Sequence, residues 1–301
     1  MSSLIEHTKG LRKGPFLCIV NPHSGTGSSR TFIQNIEQYS DPERLDIEIS
    51  KSALHSIELT NRACEEGCEA VIAVGGDGTV QEIAAQLIGS QTALGIVPTG
   101  SGNGIARHLG ISMEPSVALK EMLAGKRRSM DTFRVNDKPG IGFAGVGVDG
   151  YVARLFDETN ERGFSNYIKL SLDAFLSYSS TRFRVHPMEG DALDLNAMTV
   201  ICANTSQLGN NAVVNATGVD DDGQLELILV KQLPTVNMMT LASRMFLSTL
   251  HKSPFVQVLT GRRFTLENLD MAELQVDGEV VETAPNLTFE VRPRSLHVLI
   301  P

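Results

Sequence analysis

Gly75-Gly76-Asp77-Gly78-Thr79 joins an apolar run, Val71 to Val74, to a segment whose Val80, Ile83, Ala84, Leu87 and Ile88 fall at helical spacing. The run suits a buried parallel strand, and the segment an amphipathic helix that stops near Gly89. A glycine-rich turn from strand to helix is a ready anion site. The backbone can approach closely, and the unpaired N–H groups of the helix start carry partial positive charge. Asp77 would repel a phosphate there unless a Mg²⁺, or a hydroxyl to be deprotonated, stands between them. Far along the chain, Val276-Asp277-Gly278-Glu279 sets two carboxylates two positions apart in a strand-to-strand turn. If that turn is extended, both point to one face, and either could accept the proton of an attacking hydroxyl. The same residues also fit a plain hairpin with Asp277-Gly278 at its corner.

Two further glycine-rich turns follow strand-like runs. Asn21-Pro22-His23-Ser24-Gly25-Thr26-Gly27 follows Phe16 to Val20, and Pro98-Thr99-Gly100-Ser101-Gly102-Asn103-Gly104 follows Leu94 to Val97. A helix carrying Phe32, Ile36 and Tyr39 on one face, a strand at 45–49, a helix around 55–66, a helix from Ile105 and another from Pro115 to Gly125 complete the pattern. The first ~125 residues thus alternate strand and helix, as a Rossmann-like parallel α/β sheet does, and its ligands collect beyond the carboxyl ends of the strands. After Met130 the rhythm changes. Strand-like segments at 141–148, 195–203, 225–230, 264–267, 273–281 and 287–292 indicate an antiparallel, β-sandwich-like domain with added helices near 151–178 and 235–250. The latter helix carries Met239, Ala242, Phe246 and Leu250 on one face and reads as packing on the sheet, because its polar face lacks the Lys and Arg of a membrane-binding helix.

The chain of 301 residues is 42% apolar and 20% charged with a formal charge of −9, which argues against general nucleic-acid binding, since phosphate contact needs a basic face, and leaves room for a local basic patch. Lys126-Arg127-Arg128 and Arg262-Arg263 read as solvated surface. Cys18, Cys64, Cys68 and Cys202 have no metal-site spacing and read as reduced thiols in a reducing compartment. Residues 1–14 read as a loose leader without a signal-peptide core, and no run reaches the roughly 18 apolar residues of a membrane span. A cytoplasmic protein with at most peripheral membrane contact is expected.

In their order, these pieces resemble the diacylglycerol kinase catalytic-domain family, which includes bacterial lipid kinases and, more distantly, sphingosine and ceramide kinases. The resemblance rests on Asn21 to Gly25, Gly75 to Thr79 with Glu82, Pro98 to Asn103, Asp131, Gly145 to Asp149, Asn204-Thr205, Asp222-Gly223 and Val276 to Glu279. It implies an α/β nucleotide-binding domain over 13–130 and a β-rich lipid-substrate and catalytic domain over 131–289, the last strand, about 290–301, returning to the first. ATP would lie between them, held by Gly75, Gly76, Asp77, Gly78, Thr79, Val80 and Gln81. Asn21, Pro22, Ser24, Gly25, Gly100, Ser101 and Asn103 would flank it, with Ser50 where the family has a Thr. Asp77 and Asp131 would anchor Mg²⁺, Asp222 and the carbonyl of Gln224 would hold a second, structural Mg²⁺, and Asp277 or Glu279 would be the base. Gly104 stands where bacterial members carry Asp, and Ala144 where they carry Asn, so one expected carboxylate of the Mg²⁺ network is missing. The activity implied is ATP- and Mg²⁺-dependent phosphorylation of a diacylglycerol-like or sphingoid hydroxyl at the inner membrane face, in a chain that could pair as a homodimer through an exposed β edge. Two other readings stand beside it: an NAD-kinase-like phosphotransferase on a soluble acceptor, and an inactive nucleotide- or lipid-binding sensor.

Overall fold

The computed structural model describes residues 16–25, 32, 44–159 and 164–301. The first unit begins with strands β1 (Phe16–Val20) and β2 (Leu45–Ile49), helix α1 (Ala53–Glu65), β3 (Ala70–Gly75), α2 (Asp77–Leu87), β4 (Ala93–Pro98), the short α3 (Gly104–His108) and α4 (Pro115–Ala124). Strands pair in parallel in the order β2-β1-β3-β4. Every residue of β1, β3 and β4 is buried, which is why these strands read as unbroken apolar runs: helices or other layers cover both faces. Ser52 caps α1 by accepting the His55 N–H, and Glu114 caps α4 by accepting that of Val117, with Pro115 at the first helical position. Of the helix expected after the first glycine turn, Phe32 is described and buried, whereas Ile36, Tyr39 and the leader 1–14 lie outside the described residues.

The chain then enters β5 (Lys126–Val135), β6 (Lys138–Gly140), β7 (Phe143–Gly147), α5 (Val148–Glu158), α6 (Phe164–Ser177), β8 (Thr181–Pro187), β9 (Leu193–Ala203), β10 (Leu225–Lys231), α7 (Thr235–Phe246), β11 (Val256–Gly261), β12 (Arg263–Asn268), the hairpin β13 (Leu274–Val276) and β14 (Glu279–Val281), and β15 (Asn286–Ile300). All pairings from β7 to β13 are antiparallel. This unit has its own core, with Phe133, Phe183, Phe264 and Phe289 fully buried, and a third apolar cluster under α5, α6 and α7.

Strands β5 and β15 pair along both units. Phe289 to Arg292 faces Val135 to Thr132, and Leu296 to Ile300 faces Met130 to Lys126, with a register break between. On its other edge β15 pairs with β12 first and then, in parallel, with β4 at Val298↔Leu94. Leu296, Val298 and Leu299 therefore sit in the first core, and Leu287, Phe289 and Val291 in the second. The sheet is continuous from β2 to β14 and passes from parallel to antiparallel pairing at β15.

Two expectations about orientation change. In α7 the buried residues are Met238 and Leu241, so Met239 and Phe246, expected to face the sheet, face outward instead. The segment 141–148 is strand only to Gly147, and helix begins at Val148.

Candidate active site

The three glycine turns meet at the carboxyl ends of β1, β3 and β4 and are tied to one another. The Asn21 side-chain amide donates to Thr79 Oγ1 (2.8 Å), its backbone N–H donates to the Val74 carbonyl (3.0 Å), and the hydroxyls of Ser24 and Thr99 are 2.7 Å apart. Glycine is required at two of these positions by packing. A Cβ on Gly100 would lie 2.5 Å from Gly76 Cα, and one on Gly102 would lie 2.7 Å from Asp77 Oδ2. A Cβ on Gly78 would meet nothing within 4 Å, so this stretch of the turn faces open space.

Asp77 reaches across to the third turn. Its Oδ2 accepts the Asn103 N–H (2.8 Å) and its Oδ1 the Gly104 N–H (2.7 Å), the donors at the start of α3. Burial pushes the Asp77 carboxyl above the usual range, and these two N–H groups pull it back. Asn103, left-handed at φ 54°, closes the turn on itself by accepting the Gly100 N–H and donating to the Gly100 carbonyl. Ser50 is buried at the end of β2, its hydroxyl donating to the Val20 carbonyl. Ser101 is exposed, and its carbonyl accepts the side-chain amide of Asn210 (2.5 Å). Pro22 and Gly25 complete the first turn, while Val80 is buried in α2.

Asp277 and Gly278 both have positive φ (52° and 87°), and Val276 pairs with Glu279, so the two form the corner of a tight hairpin. The extended geometry that would send both carboxylates to one face is absent. Asp277 turns inward, its Oδ2 accepting the Ile141 N–H (2.7 Å) and its Oδ1 those of Gly142 (2.8 Å) and Phe143 (2.9 Å). Burial, joined by the charge of Glu279, raises its pKa to about 6 against the pull of those three N–H groups. The carbonyls of the same loop are held from behind: Asn204 donates its side-chain amide to Ile141 and Asp131 (both 2.8 Å) and its backbone N–H to Gly142. Asn204 Oδ1 is buried without a protein partner. Ala144, in contrast, is wholly buried in the second core.

Glu279 points outward and pairs with Lys138 Nζ (2.8 Å). A pocket of about 170 Å³ lies between the units. Gln81, Glu82, Ala85 and Gln86 of α2 line one side, with Ile57 and Ile88; Lys138, Pro139, Ile141, Val276, Asp277 and Glu279 line the other. Burial, and then the charge of Glu279, raise the Glu82 carboxyl above its ordinary range.

Asp131 lies in a different network from Asp77. Its oxygens accept the N–H groups of Gly223 (2.6 Å) and Arg294 (2.7 Å), and after burial it is Asp222 and Asp221 that most raise its pKa. Asp222 accepts the Gln224 N–H (2.9 Å), closing an exposed acidic turn. Among the described residues no group of three or more His, Cys, Asp or Glu forms a metal cage. A carboxylate has about four lone-pair sites, of which Asp77 uses two, and Mg²⁺ commonly takes one or two carboxylates with waters and substrate phosphates. The residues of the second turn therefore fit an ion that arrives with phosphates better than a preformed site.

A buried polar network joining the units has no counterpart in the sequence motifs. Arg128, expected as solvated surface, grips both oxygens of Asp220 (2.8 and 2.7 Å). His108 Nε2 lies 3.0 Å from Asp220 Oδ2, and His108 Nδ1 accepts the Ser206 N–H (3.1 Å), which leaves the ring proton on Nε2. The Ser206 hydroxyl also lies 3.0 Å from His108 Nδ1, so Ser206, His108 and Asp220 form one hydrogen-bonded chain that ties the short α3 to the second unit. Burial would raise Asp220, but His108 and Arg128 hold it at about 2. Beside it, the loop 207–211 clasps the third turn. Asn210 N–H donates to the Gly102 carbonyl, and a Cβ on Gly104 would lie 3.2 Å from the Gln207 carbonyl oxygen, the Leu208 carbonyl carbon and the Gly209 nitrogen. The backbone of the second unit thus stands against the position where the family carries Asp.

Three joined glycine turns, with the helix that leaves the second of them lining a carboxylate-bearing pocket against a β-sandwich-like unit, fit a two-domain kinase of α/β plus β architecture. Residues 15–135 match the diacylglycerol kinase catalytic domain, and residues 142–300 match the YegS C-terminal NAD kinase beta sandwich-like domain. The chain belongs to this diacylglycerol kinase-like family of lipid kinases. It is similar to an uncharacterised protein of Synechocystis (25% identical, covering 94% of this chain and 69% of that one) and to the Probable lipid kinase YegS-like of Klebsiella pneumoniae (30% identical, covering 57% of this chain and 59% of that one). The matched stretch thus spans less than two thirds of the Klebsiella protein. Its fold is similar to that of a diacylglycerol kinase from Bacillus anthracis (TM-score 0.73, 19% identical, covering 95% of this chain and 96% of that one).

Proposed function

We propose that this chain transfers the γ-phosphoryl group of ATP to a hydroxyl of a diacylglycerol-like or sphingoid lipid. The observation that carries this reading is the pocket between the units, where Glu82, Asp277, Glu279 and Lys138 share one lining with Ile57, Ala85, Ile88, Pro139, Ile141 and Val276. Such a lining suits an acceptor with a polar head and an apolar body, and it abuts the helix that leaves the glycine turn. ATP phosphates lie against the open face at Gly78 and the start of α2, where N–H groups and the helix dipole favour anions. Asp77 would hold a Mg²⁺ that arrives with the nucleotide, and the ion would supply charge neutralisation at the phosphates.

Glu279 accepts the proton of the attacking hydroxyl. Its carboxylate lines the pocket and, among the described residues, is paired with Lys138, whereas Asp277 is engaged by three backbone N–H groups. Asp277 is a positioning residue: it fixes the corner that presents Glu279. Lys138 keeps the Glu279 carboxylate near the developing phosphoryl charge and balances it.

Purified protein with labelled ATP, Mg²⁺ and a panel of diacylglycerol, sphingosine, lipid extract, NAD and water-soluble alcohols tests the assignment. Label is expected in a lipid and in neither NAD nor the soluble alcohols. Glu279→Gln should lower kcat by roughly 10²–10⁴-fold, the usual loss of a general base, with little change in stability. Label in NAD alone would sink the lipid reading, and full activity in Glu279→Gln would remove Glu279 from the mechanism.

A further inference from the structure

Among the described residues of α7 the exposed ones carry no charge, and Arg244 is half-buried and donates to the Thr249 carbonyl. Val236, Met239, Phe246 and Leu247 are 82%, 67%, 52% and 69% exposed, and the exposed residues between them are Thr240 and Ser243. Positions 236, 239, 243 and 246–247 follow the helical repeat, so they form one stripe along the helix. The opposite side is anchored, with Met238, Leu241 and the following Leu250 in the apolar cluster under α5 and α6. A scatter of exposed apolar residues is ordinary, but an ordered stripe on an anchored helix marks an interaction surface.

Charge identifies the occupant. The chain has 35 Asp and Glu against 26 Lys and Arg, yet the forty residues from Leu227 to Leu266 contain no Asp or Glu. Lys231 and Lys252, both exposed, lie just before and just after the helix. The segment carries Lys231, Arg244, Lys252, Arg262 and Arg263 with no acid, so an anionic surface attracts it while the net charge of −9 of the whole chain is repelled. The expectation that α7 packs on the sheet holds for its Met238 and Leu241 side. The opposite, apolar side takes its basic residues from Lys231 and Lys252 at the helix flanks, which suits a helix lying in a bilayer interface. The surface is also continuous with the site. The Met245 carbonyl at the end of α7 accepts the Val213 N–H (3.2 Å), and the same loop, through Asn210, binds Ser101 and Gly102 of the third glycine turn.

We propose that Val236, Met239, Phe246 and Leu247 form a docking surface for an anionic lipid bilayer, with Lys231 and Lys252 contacting headgroups. The inference rests on the lipid-kinase reading for its purpose but is tested without catalysis. The full chain is sedimented with phosphatidylglycerol–phosphatidylcholine vesicles and with pure phosphatidylcholine vesicles at rising salt. Wild type should bind the anionic vesicles, more weakly as salt rises. The fourfold variant with Ser at 236, 239, 246 and 247 should bind about tenfold or more weakly at an unchanged melting temperature, and Lys231→Glu with Lys252→Glu should remove the salt dependence. Failure of wild type to bind, or equal binding by the fourfold variant, overturns the proposal. So does a dimer, seen by light scattering, that the fourfold substitution dissociates while vesicle binding is unchanged. Wild-type turnover of a short-chain, water-soluble diacylglycerol without vesicles tests the kinase reading separately.

Discussion

Asp277→Asn tests the account of the hairpin corner most directly, because two opposing effects at that carboxylate separate with pH. The native carboxyl titrates at about 6 against an ordinary value of 3.8. The native state therefore holds its proton more tightly than the unfolded chain, and stability falls as pH rises from about 4 to about 6. The difference of about two units corresponds to roughly 3 kcal/mol, absent below pH 4 and fully expressed by pH 7. Asparagine cannot ionise, so the variant lacks this penalty. Asparagine also has one acceptor oxygen where aspartate has two, and its NH₂ group would face an N–H of the 141–143 loop, a loss of about 1–3 kcal/mol at any pH. The stability of wild type minus that of Asp277→Asn should therefore decrease by about 3 kcal/mol between pH 3.5 and pH 7.5. Urea unfolding of both proteins across that range measures it. A difference that stays constant with pH would refute the buried, N–H-cradled carboxylate.

Gly104→Asp restores the acid that relatives carry. Here it pushes a side chain against the backbone of Gln207 to Gly209, which Asn210 pins to the third turn, so it should cost about 1–3 kcal/mol by thermal melting and raise no activity. Wild-type stability with a gain in turnover would show that the loop yields and the Mg²⁺ network was incomplete. Asp220→Asn leaves Arg128 and His108 facing each other without their anion and should cost about 3–5 kcal/mol at neutral pH. Because Asp220 is held at about 2 against an ordinary 3.8, its stabilisation is full above about pH 4 and is lost as pH falls toward 2, so the gap between wild type and variant should narrow by about 2.5 kcal/mol in acid.

The parallel half was legible because its strands are buried on both faces: Val71 to Val74 and Phe16 to Val20 admit hardly another reading. Capping and proline signals placed α4 within a residue. What could not be read has physical causes. In α7, Met238 and Met239 are neighbours, and apolar residues occur all round the helix, so the sequence does not say which stripe the sheet receives. Strand β15 is interrupted by a register break at Pro293 to Ser295, which hides that one strand serves both cores. Residues His108, Arg128 and Asp220 come from a short helix, a basic run and a loop, and nothing local links them. The inward turn of Asp277 depends on positive φ at both corner residues, a choice that Asp-Gly permits but does not impose.

The aspartates in the motifs have a common structural task. Asp77 joins the second glycine turn to the N–H groups of Asn103 and Gly104, Asp131 joins β5 to those of Gly223 and Arg294, and Asp277 joins the hairpin to those of Ile141, Gly142 and Phe143. Each carboxylate satisfies two or three donors that would otherwise be left unpaired as the chain folds, and each fastens segments far apart in sequence. A short acid is suited to this because one residue offers two acceptor oxygens without a second backbone strand. In Asp77 the task is compatible with facing phosphate, since its bonds to the start of α3 draw charge away from the open side of the turn. It also separates roles within Val276 to Glu279: the inward carboxylate holds the geometry, and the outward one, free of backbone donors and beside Lys138, is left to meet the substrate.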